Sequence, residues 1–191
     1  MSKTLSQLFS HSFTQVNDTC SIKILSLKDV PTLFTLTDNS RVHLAAFLPW
    51  LDFVKTIDDT KEFVLNAEKR LLTNKGIELG VYFNRELAGV LGIHTIDWDS
   101  STATLGYWLG DTFTGHGLMI SSTKYLVHKL LVELEINCVE IHCAVDNLKS
   151  RAIPERLNFK NERCLQAKWI NGQFVDHLIY TMLREDWLRL N

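Results

Sequence analysis

Fifteen consecutive residues carry the densest chemistry in the chain: Leu105-Gly-Tyr-Trp-Leu-Gly-Asp-Thr-Phe-Thr-Gly-His-Gly-Leu-Met119. They read as a strand, a tight Gly-x-Gly turn and the first turn of a helix. Gly115 and Gly117 lack a Cβ, so they take φ > 0 at little cost and let a ligand approach the backbone. A helix opening at about Leu118 points unpaired N–H groups and a positive dipole end at the same place. Thr114, Gly115, His116, Gly117, Leu118 and Met119 are therefore expected to cradle an anion, and a pyrophosphate suits the turn. Two other phosphate sites are excluded by spacing. A Walker loop needs Gly-Lys-Ser/Thr, which the chain lacks here, and a dinucleotide fingerprint needs a third glycine where Ile120 stands.

Paired glycines also merely end strands, so the neighbouring chemistry matters. Asn147 and Ser150 lie three residues apart at the start of a predicted helix, on one face. Asn147 and Ser150 carry short polar side chains that could bond a ligand. Both residues equally suit ordinary capping. His94 ends the strand before the glycine-bearing one. Its neutral imidazole titrates near working pH, which makes it a candidate general base beside a purely structural role. His116, inside the anion loop, is better placed for phosphates or solvent. Phe47, Leu48, Trp50, Leu51 and Phe53 form an aromatic-rich connection that either packs the core or walls an acceptor groove, with Phe47 and Trp50 guiding a flexible end. Glu78 and Asp97 are acids that could meet a cationic group there.

The elements that must position these residues alternate. Cys20 to Leu25 reads as a strand, and Ser26 as the N-cap of a helix carrying Val30, Leu33, Phe34 and Leu36. Thr56, with Asp58 and Asp59 in the first turn, starts a second helix through Phe63, Val64, Ala67 and Leu71, with Gly76 just beyond its end. Strands Ile77 to Phe83 and Glu86 to Ile93 meet at Asn84-Arg85, and Ala103 to Leu109 follows. Past the glycine turn, Ile120, Val127, Leu130, Leu131 and Leu134 share one helix face, leading to a strand from Asn137 to Val145. Pro154 shortens or kinks the helix after Asn147. Asn171-Gly172 is a type I′ hairpin signal that pairs Arg163 to Ile170 with Phe174 to Leu183. The expected class is α/β (α+β), a mixed, mostly antiparallel sheet with helices on both faces.

At the cradle, at Asn147-x-x-Ser150 and in most of the chain from Ile22 to Leu183, the sequence resembles the GNAT acyltransferase superfamily. Within it, the chain is similar to the ribosomal-protein-serine N-acetyltransferase branch, whose cofactor loop reads Gly-Tyr-Trp and then Gly-x-Gly. Three positions depart from the pattern. Thr112 stands three residues before Gly115 where Gln or Arg is usual. Thr104 and Leu105 precede Gly106 where the branch carries Glu, and Lys168 replaces an acid found on the penultimate strand of some relatives. The resemblance implies acetyl-CoA as co-substrate and a splayed strand pair that holds the pantetheine arm like an added strand. It also implies a backbone N–H near Leu109 that polarises the thioester carbonyl, and a single domain over residues 1–191. The acetyl group would pass directly to an amine. A terminal α-amine is about a tenth neutral at pH 7, whereas a lysine carries a further penalty of roughly 3 to 4 kcal/mol. A chain lacking both usual carboxylates suits the α-amine of a protein such as a ribosomal protein. A small-molecule amine acetyltransferase, for a polyamine or a drug, and a CoA-binding regulator with little turnover stay open.

Composition narrows the setting. The chain has 191 residues, 46% of them hydrophobic, enough for one substantial core. A net charge of −2 argues against nucleic acid as a partner. The first sixteen residues hold no signal-peptide core and no stretch is apolar enough to span a bilayer, so the expectation is a cytoplasmic protein, with a homodimer allowed. The cysteines, Cys20, Cys138, Cys143 and Cys164, show no metal-ligand spacing and read as reduced residues, Cys138 and Cys143 facing opposite sides of one strand. No metal is implied.

Overall fold

The apolar runs build one eight-stranded sheet, its central strands β3 and β4 buried on both faces, in the computed structural model, which describes residues 4–170 and 173–190, without the side chains of 166–170. The strands are β1 (Thr14–Gln15), β2 (Cys20–Ile24), β3 (Ile77–Phe83), β4 (Glu86–Asp97), β5 (Thr102–Leu109), β6 (Cys138–Ala144), β7 (Lys160–Ile170) and β8 (Gln173–Leu183). Their spatial order is β1-β2-β3-β4-β5-β6-β8-β7. Every described pairing is antiparallel except β5 with β6, which is parallel. The helices are α1 (Leu5–Leu8), α2 (Val30–Asn39), α3 (Arg41–Leu44), α4 (Ile57–Leu72), α5 (Leu118–His128), α6 (Leu148–Arg156) and α7 (Arg184–Leu190).

The pleat sorts the sheet into two working faces. Ile77, Leu79 and Val81 of β3 point toward α5 and pack with Leu118, Met119, Leu126 and Leu130. Tyr82 on the same strand points the other way, joining Leu87 and Val90 against Leu33 and Leu36 of α2 and Val64 of α4. Helices thus cover both faces, as the patterning requires. The start of α4 is held by a reciprocal cap: Asp59 N–H donates to Thr56 Oγ1 at 3.3 Å, and Thr56 N–H donates to the Asp59 carboxylate at 2.7 Å.

Several boundaries differ from the sequence reading. Ser26 caps a single 3-10 turn, Leu27–Asp29, and α2 starts only at Val30. The positive φ after α4 falls on Asn74 (54°) and not on Gly76. Gly76 lies so close to β4 that a Cβ there would sit 2.4 Å from the Ile93 carbonyl. Strand β4 continues past Ile93 to Asp97 through an irregularity between Ile93 and Thr95, which makes His94 a bulge residue inside the strand and not its end. α6 is the expected short helix, nine residues long with Pro154 inside it. The turn residues Asn171 and Gly172, and the side chain of Lys168, lie outside the described residues. The flanking strands do pair antiparallel, Ile170 opposite Gln173.

Candidate active site

The parallel pair β5 and β6 comes apart partway along. Their register runs from Thr102 opposite Cys138 to Leu105 opposite Ile141 and stops there, although β5 continues to Leu109 and β6 to Ala144. Each strand keeps its outer partner: Gly106 to Leu109 stay on β4, and His142 to Ala144 stay on β8. The result is a split between two anchored edges. Gly110 N–H donates to the Ala88 carbonyl at 2.8 Å, on the β4 side. Backbone groups alternate edges along a strand, so the N–H of Leu109 is directed to the split.

At the end of β5 the chain forms the glycine turn. Gly115 has φ 85° and Gly117 φ 71°, and a Cβ at either position would have nothing within 4 Å. Gly117 is the N-cap of α5 in the left-handed region, and no side chain caps this end. The side chains of Leu118 and Met119 are buried, so their backbone amides are what they can offer an anion. The Thr114 hydroxyl donates to the Asp111 carbonyl at 3.0 Å. The His116 ring stacks on Phe83 with centroids 4.7 Å apart.

α6 approaches the split from the α5 side. Asn147 Oδ1 accepts the Ser150 N–H at 3.1 Å, a capping bond. The Ser150 hydroxyl lies 3.3 Å from Cys143 Sγ, and Tyr107 donates its hydroxyl to the Ser150 carbonyl at 2.9 Å. Burial pushes the Cys143 thiol above its ordinary value. Cys138, half-buried, and Cys143, buried, face opposite sides of β6, as their odd spacing requires.

On the opposite face, under α2 and α4, lies a cavity of about 490 Å³. Leu33, Phe47, Trp50, Phe63 and Trp108 make its apolar walls, and Glu78, His94, Gly106 and His177 line it beside Arg70 and Thr60. Trp50 meets Trp108 with ring centroids 6.0 Å apart. The cavity has a glycine floor. Glu78, Gly92 and Gly106 are successive partners across β3, β4 and β5. A Cβ at Gly92 would sit 2.2 Å from Glu78 Oε2, and one at Gly106 would sit 2.1 Å from His94 Cε1. Those two side chains therefore occupy the space the glycines leave. Glu78 is 5% exposed and accepts from Arg70 Nη2 at 2.7 Å. Burial raises its carboxyl to about 7, with the Arg70 guanidinium pulling the other way.

A model of the acetyltransferase (GNAT) domain family matches residues 22–160, most of the chain. The chain belongs to the GNAT acetyltransferase family. This acetyltransferase is 30% identical over 175 residues to YdaF of Bacillus subtilis (strain 168), a protein that bears the name of a ribosomal N-acetyltransferase; the match covers 91% of this chain and 96% of that one. Among solved structures it superposes with TM-score 0.88 on RimL, a ribosomal L7/L12 α-N-protein acetyltransferase in complex with coenzyme A, at 27% identity over 92% of this chain and 99% of that one. The microcin C7 self-immunity acetyltransferase MccE, in complex with acetyl-CoA and AMP, superposes at TM-score 0.87 with 28% identity over 93% and 99%. Acetyl-CoA is accordingly the acyl donor of this N-acetyltransferase. The open glycine turn, the uncapped α5 and the unpaired edge of β5 are chemically suited to its pyrophosphate and its extended arm.

Of the sequence-derived candidates, the structure brings Thr114 to Met119 together in the cradle, sets Leu109, Asn147 and Ser150 around the split, and gathers Phe47, Trp50, Glu78 and His94 in the cavity. It separates two others. Phe53 is 79% exposed and does not line this cavity. Asp97 closes a turn, accepting from the amides of Asp99 and Ser100 at 3.0 and 3.3 Å. Leu51 is buried core. Sequence reasoning missed Arg70, Trp108 and His177. Trp108 was within reach, because it shares a sheet face with Gly106 by simple alternation; His177 arrives from β8, distant in sequence. The carboxylate in register with Thr104 is Glu140 of β6, and it is taken up by His142 at 2.9 Å and Arg163 at 2.8 Å. Among the described residues no helix is long and apolar enough to cross a membrane.

Proposed function

We propose that this acetyltransferase modifies the N-terminal α-amine of a protein, a ribosomal protein being the class its relatives favour. The observation that carries the reading is the split itself, which opens toward the cradle on one face of the sheet and toward the aromatic cavity on the other. Donor and acceptor can therefore arrive from opposite sides and meet at Leu109 and Gly106. A cavity of about 490 Å³ lies within the usual range for small ligands, roughly 300–1,000 Å³, and suits the first residues of a flexible chain end.

In this reading the amides from Gly115 to Met119 hold the pyrophosphate, with Thr114 and His116 shaping the loop. The Leu109 N–H bonds the acetyl carbonyl and strengthens that bond as negative charge develops on the oxygen. The Ser150 hydroxyl donates to the departing sulfur, and Asn147 keeps the first turn of α6 in place. Phe47 and Trp50 guide the chain end, and His94 with Glu78 faces the amine. Acetyl-CoA when bound supplies the activated acetyl group, which the amine nitrogen attacks directly.

The similarity to MccE, whose structure holds AMP, favours a second reading: an amine on a small molecule that fills the same cavity. A CoA-release assay across peptides with varied N-terminal residues, lysine peptides blocked at the N-terminus, and polyamines separates the two. Fastest turnover of a free N-terminus supports the first reading. Faster turnover of a polyamine or a blocked lysine peptide overturns it.

A further inference from the structure

We propose that Glu78 is the proton acceptor of the transfer: its carboxylate receives the acceptor's ammonium over the Gly92–Gly106 floor and takes one proton from it, leaving a neutral amine at the split. The proposal rests on the cavity being the acceptor's entrance. It does not depend on which amine enters.

Position is the first argument. Glu78 starts on β3, two strands from the split, but the missing Cβ of Gly92 lets its carboxylate lie across β4, with Oε2 2.2 Å from where that Cβ would be. The next residue in the row, Gly106, borders the split. A central strand pair gives up two side chains here, in a place where glycine otherwise weakens a sheet. That cost is understandable if a ligand group must lie against the floor.

The second argument is the state of the polar groups around it. Arg70 engages Oε1 at 2.7 Å, and Oε2 is the oxygen nearer the place of the missing Gly92 Cβ. The Thr60 hydroxyl, in the cavity wall, is buried without a hydrogen-bond partner among the described residues, as is Arg70 Nε. Thr60 is 2% exposed, so its hydroxyl is a buried polar group that a bound acceptor can satisfy. The charged group on Glu78 is Arg70 from α4, and the other titratable groups lining the cavity are His94 from the β4 bulge and His177 from β8. Burial outweighs the guanidinium and sets the carboxyl at about 7, close to the working pH of an efficient base.

The proton count closes. An N–H bond of the ammonium breaks as the O–H bond forms on Glu78. The nitrogen then forms its bond to the acetyl carbon as the carbon–sulfur bond breaks. The second nitrogen proton balances the thiol, delivered on the Ser150 side. Glu78 returns its proton to water past His94, which is exposed.

The test uses whichever amine releases CoA fastest, with kcat/KM followed from pH 5.5 to 9.5. In the wild type, activity rises with pH through about 7, the carboxyl midpoint. Glu78→Gln should lower kcat by about 10²–10⁴-fold, leave the acetyl-CoA KM within threefold, and move the rising limb to the acceptor's own pKa. A Glu78→Gln enzyme within threefold of wild-type kcat, with the limb in place, overturns the proposal. So does loss of that limb in His94→Gln when Glu78→Gln keeps it. If Glu78→Gln does not fold, Arg70→Met decides, since removing the guanidinium should move the limb to higher pH and an unmoved limb is fatal. A lysine or polyamine as best acceptor would sink the α-amine reading alone, because the limb is measured on that amine all the same.

Discussion

In the proposed function, Ser150 serves stability and chemistry with different atoms. The cap uses the Ser150 amide, which every substitution but proline retains, while the hydroxyl faces Cys143 and the split. Ser150→Ala should therefore cost under about 0.5 kcal/mol of stability. It should lower kcat by tenfold or more with little change in the acetyl-CoA KM, because a bond to the leaving sulfur develops mainly in the transition state. Steady-state kinetics beside urea unfolding checks this, and an unchanged kcat would assign Ser150 to the helix alone. Glu78 carries a stability signature of its own. Its folded-state carboxyl sits at about 7 against an ordinary value of 4.5. A raised carboxyl contributes fully below the ordinary value and loses that contribution as pH climbs to the raised one, an effect of about 3 kcal/mol. Wild-type stability relative to Glu78→Gln should accordingly fall between pH 5 and pH 8, and chemical denaturation at the two values measures it. The chemistry types of Ser150, His94 and Glu78 were readable in the sequence. The value of Glu78 was not, since it depends on burial under α4.

At the scale of elements, the site is made where regular structure gives way. The bulge at His94 adds a residue to β4 and lays the imidazole over Gly106. Gly106→Ala would place a methyl 2.1 Å from that ring, so the ring must leave. The expected result is a fall in kcat of tenfold or more while acetyl-CoA affinity, which the proposed function sets on the other face, stays within threefold. A matching loss of affinity would mean that the two faces are not separate sites. The cradle invites the reverse experiment. Gly117 holds φ 71° with open space around it, so a valine there meets no clash but must adopt a left-handed backbone that costs of order 1–3 kcal/mol. Gly117→Val should weaken acetyl-CoA binding by tenfold or more in calorimetry, and an unchanged affinity would remove the loop from the cofactor site. The loop was legible because Gly-x-Gly before a helix is a local pattern. The bulge was not, because it is defined by register against β5.

For the molecule as a whole, the sheet acts as a wall that opens where β5 and β6 part. In the proposed function, acyl donor and acceptor approach that opening from opposite faces. With terminal α-amines as acceptors, a peptide with a free N-terminus should outpace the same peptide blocked at that end and carrying an internal lysine. Acetylation of the blocked peptide at an equal or greater rate, read by mass spectrometry, defeats that preference.

What the sequence determined by itself was everything encoded over short range. The period-two runs placed the central strands, the 3.6-residue spacing placed α4 and α5, and the turn chemistry placed the cradle. Together with the resemblance they led to the family. What only the tertiary structure decided was which distant residues share a volume. Glu78, Arg70, His94, Trp108 and His177 come from five elements and line one cavity because the pleat turns the strand residues to the face that α4 covers and two facing glycines leave room there. Phe53 and Asp97 have chemically suitable side chains but are directed elsewhere, one to solvent and one into a turn. The raised carboxyl of Glu78 belongs to the same level, since desolvation is a property of the assembled pocket and of no segment in it.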